Sequence, residues 1–309
     1  MSRISLSNHL RGVLILLPWL VWLCVVDFIL SALLLLKPVF PAPVYHASSA
    51  LAYSVWNWIQ AIFTRFNGAR IVVTTSSTLP PGESVIVIAN HIAWSDFWLI
   101  QEVAKRNGML GYCRWFAKQE LRWVPFLGWG LWAMGMPLVS RQWTRDRKEM
   151  ERVFGGVVKR RWPIWLIAYS EGSRYSAKTY QNTTNWCQSQ DPPIPVPRNT
   201  LYPRTRGFVT SVRELRSSSI RAVYDFTIAY SRDGHFMAAP EFWESIAVDV
   251  NKAGYKFYVH VDRFPLEDLP EGDEHLAEWL KKRWVRKDER LERLKRKLEA
   301  GELDVDLKD

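Results

Sequence analysis

The chain has 309 residues, 48% of them hydrophobic and 23% charged, a balance that excludes intrinsic disorder and low-complexity architectures. Its 41 basic and 31 acidic residues give a formal charge of +10, which points to an anionic partner: a membrane surface, a phosphorylated substrate or nucleic acid. Three scattered cysteines leave little room for a disulfide framework or a zinc ribbon, while 17 Trp, 14 Phe and 11 Tyr are an enrichment expected where a surface meets a bilayer.

The first element is Gly12–Leu36, a 25-residue apolar run whose only charge is Asp27. At about 1.5 Å per residue it can cross a hydrocarbon core of roughly 30 Å, and it exceeds the ~7 to 15 residues of a signal-peptide apolar region. It reads as membrane-embedded. Pro38, Pro41 and Pro43 stop it, and the charge-free stretch to Thr64 predicts a second helix, interfacial or spanning. From Arg70 the pattern changes to short β-branched runs bounded by turn residues: IVVTT, SVIVIAN, IWLIAY, RAVYDFTIAY and YKFYVHV. Helical patterns around residues 95–107, 144–161 and 206–216 alternate with them, which predicts an α/β domain over residues 70–265, built on a single mixed sheet flanked by helices. Segment 101–165 carries 13 basic against 5 acidic residues, so a docking face beside the sheet is expected. From His275 to Leu298, Leu276, Trp279, Leu280, Trp284, Leu291, Leu294 and Leu298 recur at helical spacing. This predicts a basic amphipathic helix in segment 266–309, packed on the domain or touching lipid, followed by an acidic tail.

Asn90-His91-Ile92-Ala93-Trp94-Ser95-Asp96 follows directly on the SVIVIA strand, at the carboxyl end where open α/β sheets gather their sites. If a turn precedes a helix capped by Ser95, Asp96 can orient the His91 imidazole and leave its other nitrogen to take a proton from a hydroxyl. Taken alone, His91 is equally well a hydrogen-bonded loop histidine. Glu171-Gly172-Ser173-Arg174 follows the next such strand, offering a close backbone approach, a hydroxyl and a guanidinium fork suited to phosphate. Leu201–Phe208, with Arg204 and Arg206, adds a third basic loop, and Ala117–Gln119 with Val124–Gly128 a fourth. Other patterns fail on detail. The glycines of GWGLWAMG miss the dinucleotide spacing, Ser173 lacks the flanking glycines of a nucleophile elbow, and His9, His46, His235, His260 and His275 have no partner at ligand spacing.

Together the N-H-x4-D box, the Lys118–Arg141 block, E-G-S-R, P-R-T-R-G-F, VYDFTIAY and WLKKRWVRKD resemble the 1-acylglycerol-3-phosphate acyltransferase type of lysophospholipid acyltransferase, over about residues 85–290. Ser173 stands where that family more often has threonine, and Tyr224-Asp225-Phe226 looks more like its lysophosphatidylinositol and lysocardiolipin branch. The resemblance implies a membrane-bound enzyme that esterifies the free glycerol hydroxyl of a lysophospholipid from acyl-CoA as co-substrate, with no metal and no other cofactor. It implies His91 as base, Asp96 as its orienting group and Glu171, Gly172, Ser173 and Arg174 at the acceptor phosphate, with Lys118, Arg141, Arg204 and Arg206 as further cationic contacts. A catalytically silent adaptor holding anionic lipid is the alternative. Nucleic acid is disfavoured because no binding motif is present. Residues 1–69 are then a membrane segment, and an endoplasmic reticulum location with a cytosolic catalytic domain is expected. Arg3 and Arg11 favour a cytosolic N-terminus, so either Pro38–Thr64 or a hairpin broken near Asp27 must return the chain. Asn182-Thr183-Thr184, read as part of a loop, is a glycosylation acceptor that would report a lumenal placement.

Overall fold

The structure, a computed structural model, describes residues 4–124, 127–140, 143–302 and 304–308. Helix α1 (Leu6–Leu36) starts at Ser5, whose side chain accepts from the Asn8 backbone N–H, and runs unbroken through Pro18 and Asp27. The hairpin break expected near Asp27 is therefore absent: the chain turns at residues 37–40 and re-enters helix at α2 (Pro41–Ala61), which begins on a proline and ends in a π turn, Ile62–Phe66. The second helix runs back along the first, with the Trp19 indole donating to the Val55 carbonyl at 3.0 Å and that of Trp22 to Ser54 Oγ at 2.9 Å. Among the described residues α1 is the one helix long and apolar enough to cross a membrane.

The strands are β1 (Ile71–Thr75), β2 (Val85–Ala89), β3 (Cys113–Trp115), β4 (Ala117–Lys118), β5 (Leu138–Val139), β6 (Trp165–Tyr169), β7 (Ala222–Arg232), β8 (His235–Phe236) and β9 (Tyr255–Pro265). The main sheet has the order β1-β9-β7-β2-β6-β3; β7 and β9 pair antiparallel, the other neighbours along this path are parallel, and β8 turns back on β7. The short strands β4 and β5 pair separately. The mixed sheet is thus the one expected. Between and around the strands lie α3 (Asp96–Arg106), α4 (Leu127–Ala133), α5 (Trp143–Arg160), α6 (Ala177–Gln188), α7 (Thr205–Leu215), α8 (Phe242–Ala247) and α9 (Asp273–Glu299).

Both faces of the sheet are covered, which is why β2 reads as a continuous apolar run rather than an alternating one. Val85, Val87 and Ala89 face a core built with α1, α2 and α3, whereas Ile86 and Ile88 face α5, α7 and α9. Val26 and Leu30 of α1, and Ala52, Val55 and Ile59 of α2, are buried in the first of these cores. Residue 69 therefore marks a change of element and no gap in packing. The second core seats α9 through Leu276, Leu280 and Trp284, and Leu291, Leu294 and Leu298 close a third cluster with β7 and β9. Of the two dispositions open to this helix, the packed one is found. The acidic tail is not free either, since Val305 and Leu307 are buried in that third cluster.

The contacts of α1 extend along nearly its whole length. Near its start, Arg11 donates to the carbonyls of Ala247 and Phe66 and to Asn67 Oδ1 at 2.7 to 3.0 Å. Just past its end, Lys37 Nζ donates to the Ala133 carbonyl at 3.3 Å. Between them the buried Asp27 carboxyl lies against Gly130 of α4, where an added Cβ would stand 2.3 Å from Oδ1, so a larger residue there would have to displace it. The opposite side of α1 is an apolar strip that includes Leu10, Leu14, Leu17, Val21, Phe28 and Leu35, all exposed.

Candidate active site

Register places the site. Ala89, the last residue of β2, is level with Tyr169 at the end of β6 and with Phe226 of β7, but β7 continues six residues further, to Arg232. The Asn90 side chain bridges that difference. Its amide donates to the Ile228 carbonyl at 2.9 Å and its carbonyl accepts the Ile228 N–H at 2.8 Å, satisfying both backbone groups of Ile228 where the parallel ladder would have needed two further residues of β2. The backbone is thereby released to turn out of the sheet at His91.

His91 Nδ1 lies 2.7 Å from Asp96 Oδ2. Asp96 opens α3, and its carboxylate folds back to accept the N–H groups of Ile92 at 2.7 Å and Ala93 at 3.2 Å, so the carboxylate itself builds the turn that brings histidine and aspartate together. Ser95 makes no side-chain cap bond, in contrast to its expected role. The second Asp96 oxygen accepts the Tyr230 hydroxyl from the overshooting part of β7. Burial, and then the Asp96 charge, push the Tyr230 phenol well above its ordinary pKa and keep it a donor. A carboxylate accepts only, so Nδ1 carries the imidazole proton and Nε2 is left to take another. The ring stacks on Tyr169 with centroids 3.9 Å apart, and its side chain keeps 15% exposure.

The E-G-S-R loop closes over the same spot. Tyr175 N–H donates to the His91 carbonyl at 2.7 Å, and the His91 N–H donates to Glu171 Oε2 at 3.3 Å. Glu171 is therefore not placed as a ligand for phosphate: its carboxyl is buried behind His91, accepts the Trp284 indole N–H at 3.2 Å, and is pushed up to a pKa of about 8 by that burial. Gly172 sits at φ +69° with the Arg204 side chain alongside, 3.2 Å from where a Cβ would be. The two basic loops are also joined by the Arg204 N–H, which donates to the Ser170 carbonyl at 2.7 Å. Arg174 is exposed, with its guanidinium 4.7 Å above the Trp94 ring, three residues beyond His91. Ser173 is half-buried in the same loop and Arg206 is exposed on the first turn of α7. Lys118 is exposed at the end of β4, reached from β3 beside β6. Arg141, with Pro125, lies outside the described residues.

Tyr230, Tyr169 and Trp284 lie inside the runs VYDFTIAY, IWLIAY and WLKKRWVRKD with nothing to mark them as site residues, although the alternation Tyr224, Phe226, Ile228, Tyr230 places one face of β7 in line with the site. His260 does have a partner, Asp262, at 3.2 Å, as two residues apart on a strand share a face. His260 is sealed at 2% exposure and the pair belongs to a buried ionic cluster. Among the described residues no three His, Cys, Asp or Glu side chains are grouped to hold a metal ion. The sequon lies on helix α6 rather than in a loop, with the Thr184 hydroxyl donating to the Tyr180 carbonyl.

Residues 70–231, more than half of the chain, match the family model described as Acyltransferase, and residues 250–302 match Acyltransferase C-terminus. An uncharacterised acyltransferase of Schizosaccharomyces pombe is 29% identical over 229 residues, 71% of this chain and 61% of that protein. The 1-acyl-sn-glycerol-3-phosphate acyltransferase delta of Bos taurus is 28% identical over 267 residues, 85% of this chain and 68% of that protein. For 1-acyl-sn-glycerol-3-phosphate acyltransferase 2 of Arabidopsis thaliana the values are 28% over 214 residues, 68% and 52%. The chain thus spans about half to two-thirds of the length of these relatives. The crystal structure of a 1-acyl-sn-glycerophosphate acyltransferase from Thermotoga maritima aligns over 96% of this chain and 99% of that one, at 15% identity and a TM-score of 0.44, too low to bear on the argument.

Proposed function

Because the chain belongs to the acyltransferase family, we propose that it transfers an acyl group from acyl-CoA to the free glycerol hydroxyl of a lysophospholipid at a membrane surface. The observation that carries this reading is the His91–Asp96 pair, 2.7 Å apart at the carboxyl edge of the sheet and backed by Tyr230. In the proposed reaction His91 Nε2 removes the proton of the acceptor hydroxyl as its oxygen attacks the thioester carbonyl. A C–O bond forms and the C–S bond breaks. The proton on Nε2 then passes to the departing thiolate, so ester and free thiol are the products and the imidazole returns neutral. Asp96 keeps Nδ1 protonated and balances the transient imidazolium. Arg174, with Arg204 beside Gly172, supplies guanidinium groups for the acceptor phosphate, and the exposed Arg206 and Lys118 are further candidate cations.

Attachment to the bilayer is proposed through the exposed apolar strip of α1, lying in the interface rather than crossing it. Residues 11 and 37 are about 39 Å apart along the helix, yet both hold hydrogen bonds to the same folded body. A helix that crossed a core of roughly 30 Å would leave that body at one end. With no crossing, the N-terminus and the active site share a side, which agrees with a catalytic domain on the cytosolic face of the endoplasmic reticulum.

The test is release of free thiol from acyl-CoA by the purified full-length protein, with and without a panel of lysophospholipids. Loss of the base should reduce turnover about 10²- to 10⁴-fold in His91→Ala, with a smaller loss in Asp96→Asn. Wild-type turnover by folded His91→Ala would refute the mechanism. Absence of acceptor-dependent thiol release by the wild type would instead favour a lipid-holding adaptor.

A further inference from the structure

We propose that Trp284, on the C-terminal helix α9, is a positioning residue for acyl transfer: its indole N–H holds the buried Glu171 carboxyl in the orientation that grips the His91 backbone. The inference rests on His91 acting as the base. Three contacts carry it. The Trp284 indole N–H donates to Glu171 Oε1 at 3.2 Å, and Oε2 of the same carboxyl accepts the His91 N–H at 3.3 Å. On its far side the His91 peptide is held through its carbonyl by Tyr175 N–H at 2.7 Å. Trp284 and Glu171 are both buried, and the contact between them is out of reach of bulk water.

The helix that carries Trp284 is fixed on both sides of it. Arg283 Nε and Lys287 Nζ reach Asp225 Oδ2 and Oδ1 at 3.1 and 2.6 Å, and the Lys287 ammonium lies 5.0 Å over the Trp284 ring. Asp225 belongs to β7, the strand whose Tyr230 holds Asp96. Base and orienting acid are thus referred to one strand by two routes, through Tyr230 directly and through α9 by way of Trp284 and Glu171. Trp284 also fills the second core. A phenyl ring would serve much of that packing, but it has no N–H to give. Packing alone would change stability, whereas a shift of His91 by a fraction of an ångström lowers the rate of a step that requires aligned atoms.

The experiment compares Trp284→Phe, Glu171→Gln and the double variant in the full-length protein, measuring kcat, the KM for lysophospholipid and the melting temperature. Each single variant is expected to lose about tenfold in kcat with KM changed less than about twofold. Because both act through the same contact, the double variant should fall no more than about threefold below the poorer single. Losses that multiply to about a hundredfold would overturn the proposal. So would a folded Trp284→Phe with wild-type kcat, or one that raises KM alone. If the phenylalanine variant does not fold, benzothienylalanine at position 284, equal in shape to tryptophan but without the N–H, makes the same comparison. His91→Ala separates the two ideas: if it retains wild-type turnover the reading of the base fails, and if it is inactive while Trp284→Phe is unimpaired only the positioning role fails.

Discussion

Both oxygens of Asp96 are committed, one to His91 and two backbone N–H groups, the other to Ala93 N–H and Tyr230. Such a carboxylate cannot swing to another partner, so the tautomer of His91 is fixed by the surroundings of its neighbour. The pair was legible from Asn90 to Asp96 as one of two equal readings, since a strand end, a turn and a helix start allow the two side chains to meet but do not require it. Tyr230 was not, because its partner lies 134 residues away and only the pairing of β7 beside β2 brings them together. The environment of Glu171 was not legible either: nothing in a glutamate beside glycine and arginine signals that the sheet and α9 bury it. That burial has a measurable sign. The carboxyl pKa rises from 4.5 to about 8 on folding, so its contribution to stability is fully present below about pH 4.5 and declines as pH rises toward 8, by at most about 1.4 kcal/mol per unit. Glu171→Gln cannot ionise. Its melting temperature relative to wild type should therefore climb steadily between pH 5 and pH 8, and a constant difference across that range would show that Glu171 ionises freely.

Helix α9 shows what a pattern of side-chain types conveys about an element and what it leaves open. Its apolar repeat located the buried stripe. Its ten basic residues between Lys281 and Lys297 gave no hint that three of them point inward. Arg283, Lys287 and Arg290 meet Asp225 and Asp262, which stand on the face of β7 and β9 that α9 covers. An aspartate in the middle of the run VYDFTIAY is a cost in a buried strand unless a cation reaches it, and the packing of α9 supplies two, Arg283 and Lys287. Lys287, fully buried and with its pKa lowered by that burial, depends on the same contact. Removing one partner of such a pair strands the other charge, so Asp225→Ala should destabilise the protein by about 3 to 5 kcal/mol in urea unfolding. The double variant Asp225→Ala, Lys287→Met should recover much of the loss. Equal loss in single and double variants would show that the pair is not coupled.

At the scale of the whole molecule, the length and apolarity of α1 were evident from the sequence, but its direction relative to the body was not: the same 31 residues satisfy a spanning and a flush helix. The contacts at Arg11, Asp27 and Lys37 support the flush placement proposed above, and each involves a partner more than fifty residues away. In a background lacking the three cysteines, single cysteines at Ser7 and Val39, both exposed near opposite ends of α1, should react with a membrane-impermeant maleimide from the same side of sealed vesicles. Protection of one and labelling of the other would restore the spanning arrangement. A flush helix also frees the enzyme from a constraint that spanning proteins carry. A segment that crosses must match the hydrocarbon thickness or tilt, thin the bilayer or kink, and its activity follows the length of the lipid tails around it. In the proposed placement only the outer few ångströms of one leaflet would meet the protein. The catalytic rate on a given acceptor should then be the same in vesicles of short-chain and long-chain phosphatidylcholine, which would let one enzyme work unchanged in membranes of different thickness.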